Sequence, residues 1–470
     1  MSLNRREFMG AVSASAALGR SARAQTTRAQ QPNILVFFTD QQRWDSIGAY
    51  GNPMGITPHM DRFAAEGVRF EYAFTPQPVC APARSSLQTG KYPSSTGVVR
   101  NGLVLKDNET TLPMLFGRGG YETGYIGKWH LSEGPADVVP PARRGGYDQF
   151  WLASNALEHS SVPYEGTLWD RNGRPVEFKD EYRVDALTDQ TVGFLRQKRE
   201  KPFFLFVSHL EPHFQNSTNT FIAPKGYADR YRNNFYIPPD LAPFRGDWKS
   251  QLPDYYGIIA RMDEQFGRVL AELKAQGQLD NTIVVLTTDH GCHFRTRNAE
   301  YKRSCHEAST RIPLLVRGPG FATGTTVSQL VSTVGLPATL LEAAGLETPA
   351  EIQTRGMQPG LMDLVRGKTA AWRNEVYIQM REEALGRALR TEQWKYCVFD
   401  PTASDPKQPW SDHYVERHLY DLRNDPNELV NLAGRTDTKD ISAELRARLI
   451  ARIVENGEPK PAIAPARWYA

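Results

Sequence analysis

Cys80-Ala81-Pro82-Ala83-Arg84, continued by Ser85 through Thr89-Gly90, puts a thiol at the start of a predicted helix and a guanidinium one turn later. Pro82 falls in the first turn, where a missing backbone N–H is tolerated. A helix N-terminus favours an anion, and Arg84 returns its charge to the same place. The stretch therefore offers an oxyanion site beside a modifiable thiol. Two further pairs follow apolar runs: Asp40-Gln41 after Thr39, and Asp289-His290 after Thr288. Such residues act as helix caps, or jointly as oxygen donors for a hard cation.

The elements that must position these groups are legible from patterning. Asn33–Thr39 is a short continuous apolar run, as in a buried parallel strand. Similar runs recur at Tyr125–Ile126, Pro202–Val207, Thr282–Thr287 and Ile312–Val316, and helical patterns lie at Thr57–Phe70, Val184–Arg199 and Asp254–Gln276. This alternation predicts an α/β fold with a large, mainly parallel sheet flanked by helices. Ligands of such folds gather at the carboxyl ends of strands, so the polar residues after each run are the ones placed for chemistry. A smaller α+β C-terminal unit is expected over 367–470, after a catalytic domain over 31–366. Its signals are strand-like runs at Glu375–Met380 and Ala388–Phe399 and a helix over Ile441–Val454. Stretches near 157–180 and 214–248 read as long loops, which often carry specificity.

Cys-x-Pro-x-Arg followed by Thr-Gly resembles the signature of the sulfatase family, the formylglycine-dependent branch of the alkaline phosphatase superfamily. The likeness extends in family order over nearly the whole mature chain. Asp40-Gln41 and Asp289-His290 match its metal-ligand positions. Gly127-Lys128-Trp129-His130 and Pro212-His213 match two further elements. Lys302 precedes His306-Glu307 and Arg311-Ile312-Pro313-Leu314, and Leu419-Tyr420-Asp421-Leu422 with Asp425-Pro426-Asn427-Glu428 resembles the C-terminal segment.

The resemblance implies hydrolysis of a sulfate ester. A formylglycine-generating enzyme would convert Cys80 to formylglycine (3-oxoalanine), whose hydrate attacks sulfur. Cys80, Asp40, Gln41, Asp289 and His290 would hold Ca2+. Arg84, Lys128 and Lys302 would neutralise the three sulfate oxygens, His213 with Lys302 would protonate the leaving oxygen, and His130 would take the proton that releases sulfate. Gln41 and His290 stand where many members have a second aspartate and an asparagine. The metal site thus carries less charge, and Mn2+ or another divalent ion remains an alternative. His306 replaces the usual aromatic beside Glu307 and has no role in this scheme.

The formal net charge is +3, which gives no electrostatic case for nucleic acid. Asn4-Arg5-Arg6-Glu7-Phe8, a modest apolar stretch and Ala22-Arg23-Ala24 read as a twin-arginine export signal over 1–24. Its removal takes out four Arg and one Glu and leaves a net charge of zero. The mature protein is expected to be periplasmic or secreted, with no membrane segment. Four cysteines in 470 residues are not a disulfide framework, though a Cys292–Cys305 bridge stays open and Cys397 reads as core.

A sulfated carbohydrate is the expected partner. Tyr164, Trp169, Tyr227, Tyr231, Phe235 and Tyr236 could stack on sugars, and Arg171, Arg174, Arg230 and Arg232 could pair with uronate or extra sulfate. The same aromatics could instead pack the loops onto the body. Two other functions fit the same residues: a phosphodiester or phosphonate monoester hydrolase, and a non-catalytic glycan-binding protein.

Overall fold

The computed structural model describes residues 31–134 and 138–467; the export segment over 1–24 lies outside them. The strands are β1 (Asn33–Thr39), β2 (Val68–Phe74), β3 (Glu122–Lys128), β4 (Phe150–Ser154), β5 (Ser161–Val162), β6 (Glu165–Asp170), β7 (Pro175–Lys179), β8 (Phe203–Ser208), β9 (Thr282–Thr288), β10 (Arg311–Ile312), β11 (Leu314–Arg317), β12 (Thr325–Ser332), β13 (Glu375–Met380), β14 (Leu385–Thr391), β15 (Trp394–Asp400), β16 (His413–Asp421) and β17 (Ala462–Ala464). The first twelve form one sheet in the order β10-β2-β11-β9-β1-β8-β3-β4-β6-β5, with β12 beside β2 and β7 beside β6. Its centre, β9-β1-β8-β3-β4, is parallel. Antiparallel pairs close both sides.

The middles of β1, β8 and β9 are continuous apolar runs because both faces of the sheet are covered. Leu35 and Phe37 of β1 join Leu205 and Val207 of β8 in one core, beneath the long helix Trp248–Ala275. Ile34, Val36 and Phe38 join Phe204 and Phe206 in the other. Successive side chains point to opposite faces, so one strand serves two cores. Truncating a fully buried residue such as Phe37 to alanine should cost about 3–5 kcal/mol.

Several expected boundaries move. The helix expected over Thr57–Phe70 ends at Ala65, and Val68–Phe74 is strand β2. Gly67 lies between them, where a Cβ would come within 2.4 Å of the Val316 carbonyl oxygen. The alternation Val68-Arg69-Phe70 carries the strand signal that the helical reading overran. The helix expected from Asp254 begins at Trp248 and contains Pro253. Pro253 is the sixth residue of this helix, so it forgoes the bond to the Lys249 carbonyl, and the helix runs through it nonetheless. Ile312–Val316 is split by Pro313 into β10 and β11, and β11 runs antiparallel to β9 rather than parallel. The supposed loop at 157–180 contains the meander β5-β6-β7, whose exposed face hid the pattern. Residues 214–248 have little regular structure beyond single turns and the start of the long helix.

The second sheet runs β13-β14-β15-β16-β17. The expected strand Ala388–Phe399 is two strands turning at Glu392-Gln393. Helix Lys439–Glu455 lays Leu445, Leu449 and Ile453, spaced at four residues, into a core with Tyr377, Leu389 and Tyr396. Among the described residues no helix is long and apolar enough to cross a membrane.

Candidate active site

The sheet register assembles the site. Thr39 is paired with Thr288, so the next residues, Asp40 and Asp289, emerge side by side from β1 and β9. Gly127 of β3 faces Ser208 of β8, which also pairs with Phe38. Gly127 has φ 101°, and a Cβ there would lie 2.0 Å from the Ser208 carbonyl oxygen. Only glycine permits this approach, which brings Lys128 to the same strand ends. Opposite them, Cys80 opens the helix Cys80–Thr89, which is buried along its whole length.

Nine of the ten residues singled out in the sequence meet here, within direct reach of Cys80 or of a neighbour that touches it. Lys302 Nζ is 2.9 Å from Cys80 Sγ, 3.1 Å from His290 Nε2 and 3.4 Å from His213 Nε2. Cys80 Sγ is also 3.3 Å from His290 Nε2 and 3.6 Å from Asp40 Oδ1. Arg84 donates to Asp40 Oδ2 at 3.0 Å, Asp289 Oδ2 at 3.1 Å and Ser208 Oγ at 2.7 Å. Lys128 Nζ lies 2.8 Å from Asp40 Oδ2. His130 bonds Cys80 from the β3 side, with a left-handed φ of 61°. The tenth, Gln41, has φ 68°; its backbone N–H donates to Asp289 Oδ1 at 3.0 Å, while its side-chain amide points to Cys292 Sγ at 3.5 Å.

Backbone carbonyls set the two imidazoles. His213 Nδ1 faces the Phe214 carbonyl at 2.6 Å, and His290 Nδ1 faces that of Gly291 at 3.0 Å. A carbonyl only accepts, so each Nδ1 donates outward and each Nε2 faces the centre.

Electrostatics make this an anion site. Burial and the adjacent Cys80 push the Asp40 carboxyl up, but Lys128, His213 and Arg84 outweigh them and hold it well below the usual range. Burial likewise opposes ionisation of Cys80, yet Lys128, Lys302, His290 and the His130 bond hold the thiol far below its ordinary value. Asp289 is pushed up by burial and by the charge of Asp40. Lys302 rises against burial because Cys80 and Asp40 face it. A negative group at the position of Cys80 Sγ is thus matched by cations on several sides.

Oxygen, nitrogen and sulfur donors from Asp40, Cys80, Asp289 and His290 lie within 4.8 Å of one another. Gln41, next to Asp40 in the chain, has its Oε1 buried without a hydrogen-bond partner. Two carboxylates, an unused amide oxygen and an imidazole fit a divalent cation.

The structure adds residues that pattern did not reveal. Glu158 pairs with Lys128 at 3.0 Å, and its second oxygen is buried and unpartnered. A cleft of about 530 Å³ leads to Cys80, lined by Glu158, Asn216, Asn219, Arg295 and Arg303. Arg303 is held by Glu382 of the second sheet's β13–β14 turn at 2.7 Å. No motif or period marks these positions. The loop aromatics do not line this cleft: Tyr164, Tyr227, Tyr231 and Phe235 pack on the core, and its cations are Arg295, Lys302 and Arg303 rather than Arg171, Arg174, Arg230 or Arg232. All four cysteines are free; Cys292 and Cys305 sit in different cores, so the bridge between them does not form.

A family model described as Sulfatase matches residues 32–346, and one described as N-sulphoglucosamine sulphohydrolase, C-terminal, matches residues 299–455. The chain belongs to the sulfatase family and is a sulfuric ester hydrolase. It is 30% identical to the ulvan-active sulfatase of Formosa agariphila, over 91% of this chain and 82% of that protein. It is 27% identical to the N-acetylglucosamine-6-O-sulfatase of Bacteroides thetaiotaomicron, over 92% and 88%. The fold matches that of BT4656, solved with D-glucosamine-2-N,6-O-disulfate, at a TM-score of 0.74 and 24% identity, covering 92% of this chain and 99% of that one.

Proposed function

We propose that this sulfatase removes sulfate from a sulfated carbohydrate, using formylglycine made from Cys80 by a formylglycine-generating enzyme and a divalent cation, Ca2+ first, Mn2+ as the alternative. The observation that carries the reading is the set of groups around Cys80 Sγ: Lys302 at 2.9 Å, His290 at 3.3 Å and Asp40 at 3.6 Å. Named sulfated-glycan sulfatases among the relatives support the substrate class.

Asp40, Gln41, Asp289 and His290 would hold the metal. When bound, the metal and the converted residue 80 supply a Lewis acid and a hydroxyl nucleophile for sulfur. Arg84, Lys128 and Lys302 orient and neutralise the sulfate oxygens; buried cations that need not reorganise are effective here. Lys302 Nζ and His213 Nε2 face one another at 3.4 Å on the leaving-group side, where they would deliver the proton to the departing sugar oxygen. His130 approaches residue 80 from the other side and would accept the proton that accompanies sulfate release. We assign residues 31–366 to catalysis and 367–470 to a supporting domain that reaches the cleft through Glu382. Residues 1–24 would direct twin-arginine export.

Parallel assays on an aryl sulfate, defined sulfated saccharides, a phosphodiester and a phosphonate monoester test this. The sulfated sugars should show the highest kcat/KM. Preference for a phosphodiester or phosphonate would favour the hydrolase alternative, and binding of a glycan without turnover would favour the binding-protein alternative.

A further inference from the structure

The replacement at His306 has a physical counterpart away from the catalytic centre. Cys305 and His306 precede the helical turn Glu307–Thr310, and both are buried. His418 lies on β16 of the second sheet, opposite Cys397 of β15. Cys305 Sγ, one ring nitrogen of His306 and one of His418 lie within 4.8 Å of one another. Three points so related share a centre no more than about 2.8 Å from each, and zinc takes thiolate at about 2.3 Å and imidazole at about 2.0–2.1 Å. Sub-ångström side-chain movement closes the set on an ion.

Two further observations point to a ligand. His306 Nδ1 is buried with no hydrogen-bond partner, while Nε2 contacts the Tyr420 hydroxyl at 3.0 Å. The same hydroxyl is 3.4 Å from His418 Nδ1, so one phenol orients both rings, as outer partners of metal-binding imidazoles do. A separate cleft of about 590 Å³ is lined by Cys305, His306 and His418, giving an entry path and room for a fourth ligand. Burial favours the neutral, ligating form of both rings: it pushes His306 well down, and His418 down to about 4. The nearby cations Arg297, Arg417 and Lys395 act on these rings in the same direction as burial. Lys395 is 2.7 Å from both Glu307 and Glu428, and Arg297 donates to the carbonyls of Asn427 and Glu428.

We propose that Cys305, His306 and His418 form a second metal site, for a soft closed-shell cation, Zn2+ or Cu+, separate from the Asp40–Asp289 centre. Binding replaces the S–H bond of Cys305 by a sulfur–metal bond and releases one proton. Cys305 lies three residues after Lys302, so the ion ties the segment carrying that lysine to the second sheet.

The test uses the full mature chain with Cys80→Ala and Asp289→Asn, which removes the thiol of the catalytic centre and weakens its hold on a hard ion. Equilibrium dialysis with Zn2+, and competition for Cu+ against bicinchoninate, give stoichiometry and affinity for each ion. One equivalent of at least one of them should be retained. Co2+ loading should give a thiolate-to-metal charge-transfer band that Cys305→Ser abolishes. His418→Gln, at a half-buried position, should weaken binding at least about 10-fold with an unchanged circular dichroism spectrum. X-ray absorption on the metal-loaded parent chain should show one sulfur and two nitrogens, which keeps the test independent of how the variants fold. Retention of neither ion, equal retention by both variants, oxygen-only ligation, or recovery of Cys305 bridged to Cys397 in the native enzyme would each overturn the site.

Discussion

Lys302 Nζ lies 2.9 Å from Cys80 Sγ although 222 residues separate them in the chain. The lysine reaches the thiol from a loop that has no regular structure, and it faces His213 and His290 at the same time. A buried ammonium with three donors in this position is suited to a departing oxygen as much as to the sulfate itself.

Leaving-group chemistry therefore separates its roles. His213→Ala and Lys302→Ala should each lower kcat on a sulfated sugar by about 10²–10⁴-fold. The loss should be much smaller on an aryl sulfate, whose phenoxide departs with little protonation. Equal losses on both substrates would show that neither residue donates the proton.

Metal dependence should be complete. Prolonged chelation, or Asp289→Ala, should lower turnover by at least about 10³-fold, because a cation held there would supply Lewis-acid chemistry. Reconstitution of chelated enzyme with Ca2+ and with Mn2+ then ranks the two ions. Unaltered turnover in metal-free protein would refute the centre built on Asp40, Gln41, Asp289 and His290.

Glu158 links chemistry to stability. Burial raises its carboxyl, but Lys128, His130 and His213 prevail and bring it down to about 2. A depressed acid contributes stability that is present above its unfolded value near 4.5 and is lost as pH falls through about 2. Glu158→Gln should thus destabilise by roughly 3 kcal/mol at neutral pH, with the difference shrinking toward pH 2. Denaturant unfolding over a pH series reads this directly, and a difference that does not change with pH would rule the ion pair out as its cause. Turnover should also fall about 10–100-fold as Lys128 loses one of its two charged partners, the other being Asp40.

How much was legible in the sequence depended on which force set each residue. The central strands announced themselves because burial on both faces demands apolar residues throughout, and Asp40, Lys128 and Asp289 could be found from the strands they end. Cys80 and Arg84 were legible because one helical turn fixes their spacing. Glu158, Arg295 and Arg303 were not, since cleft residues answer to no period. Strand β2 was lost to the preceding helix, and β5 to β7 were lost because an edge meander buries too little to impose alternation. The long helix starts at Trp248 rather than at Asp254 and runs through Pro253.

Export order follows from chemistry. Cys80 is buried in the folded chain, so the proposed conversion would come before folding, and the proposed twin-arginine route would then carry the folded protein. Changing Arg5 and Arg6 to Lys should leave active, already converted enzyme in the cytoplasm. Fractionation followed by a sulfatase assay checks this; full export of the double variant would refute the twin-arginine reading of residues 1–24 and leave the catalytic one intact.

The state of residue 80 in active enzyme is the most direct measurement. Peptide mass spectrometry of the segment containing Cys80, run beside kcat on a sulfated saccharide, should find the aldehyde, with turnover proportional to the converted fraction and abolished in a folded Cys80→Ala variant. Fully active protein carrying only the intact thiol would contradict the mechanism at its centre.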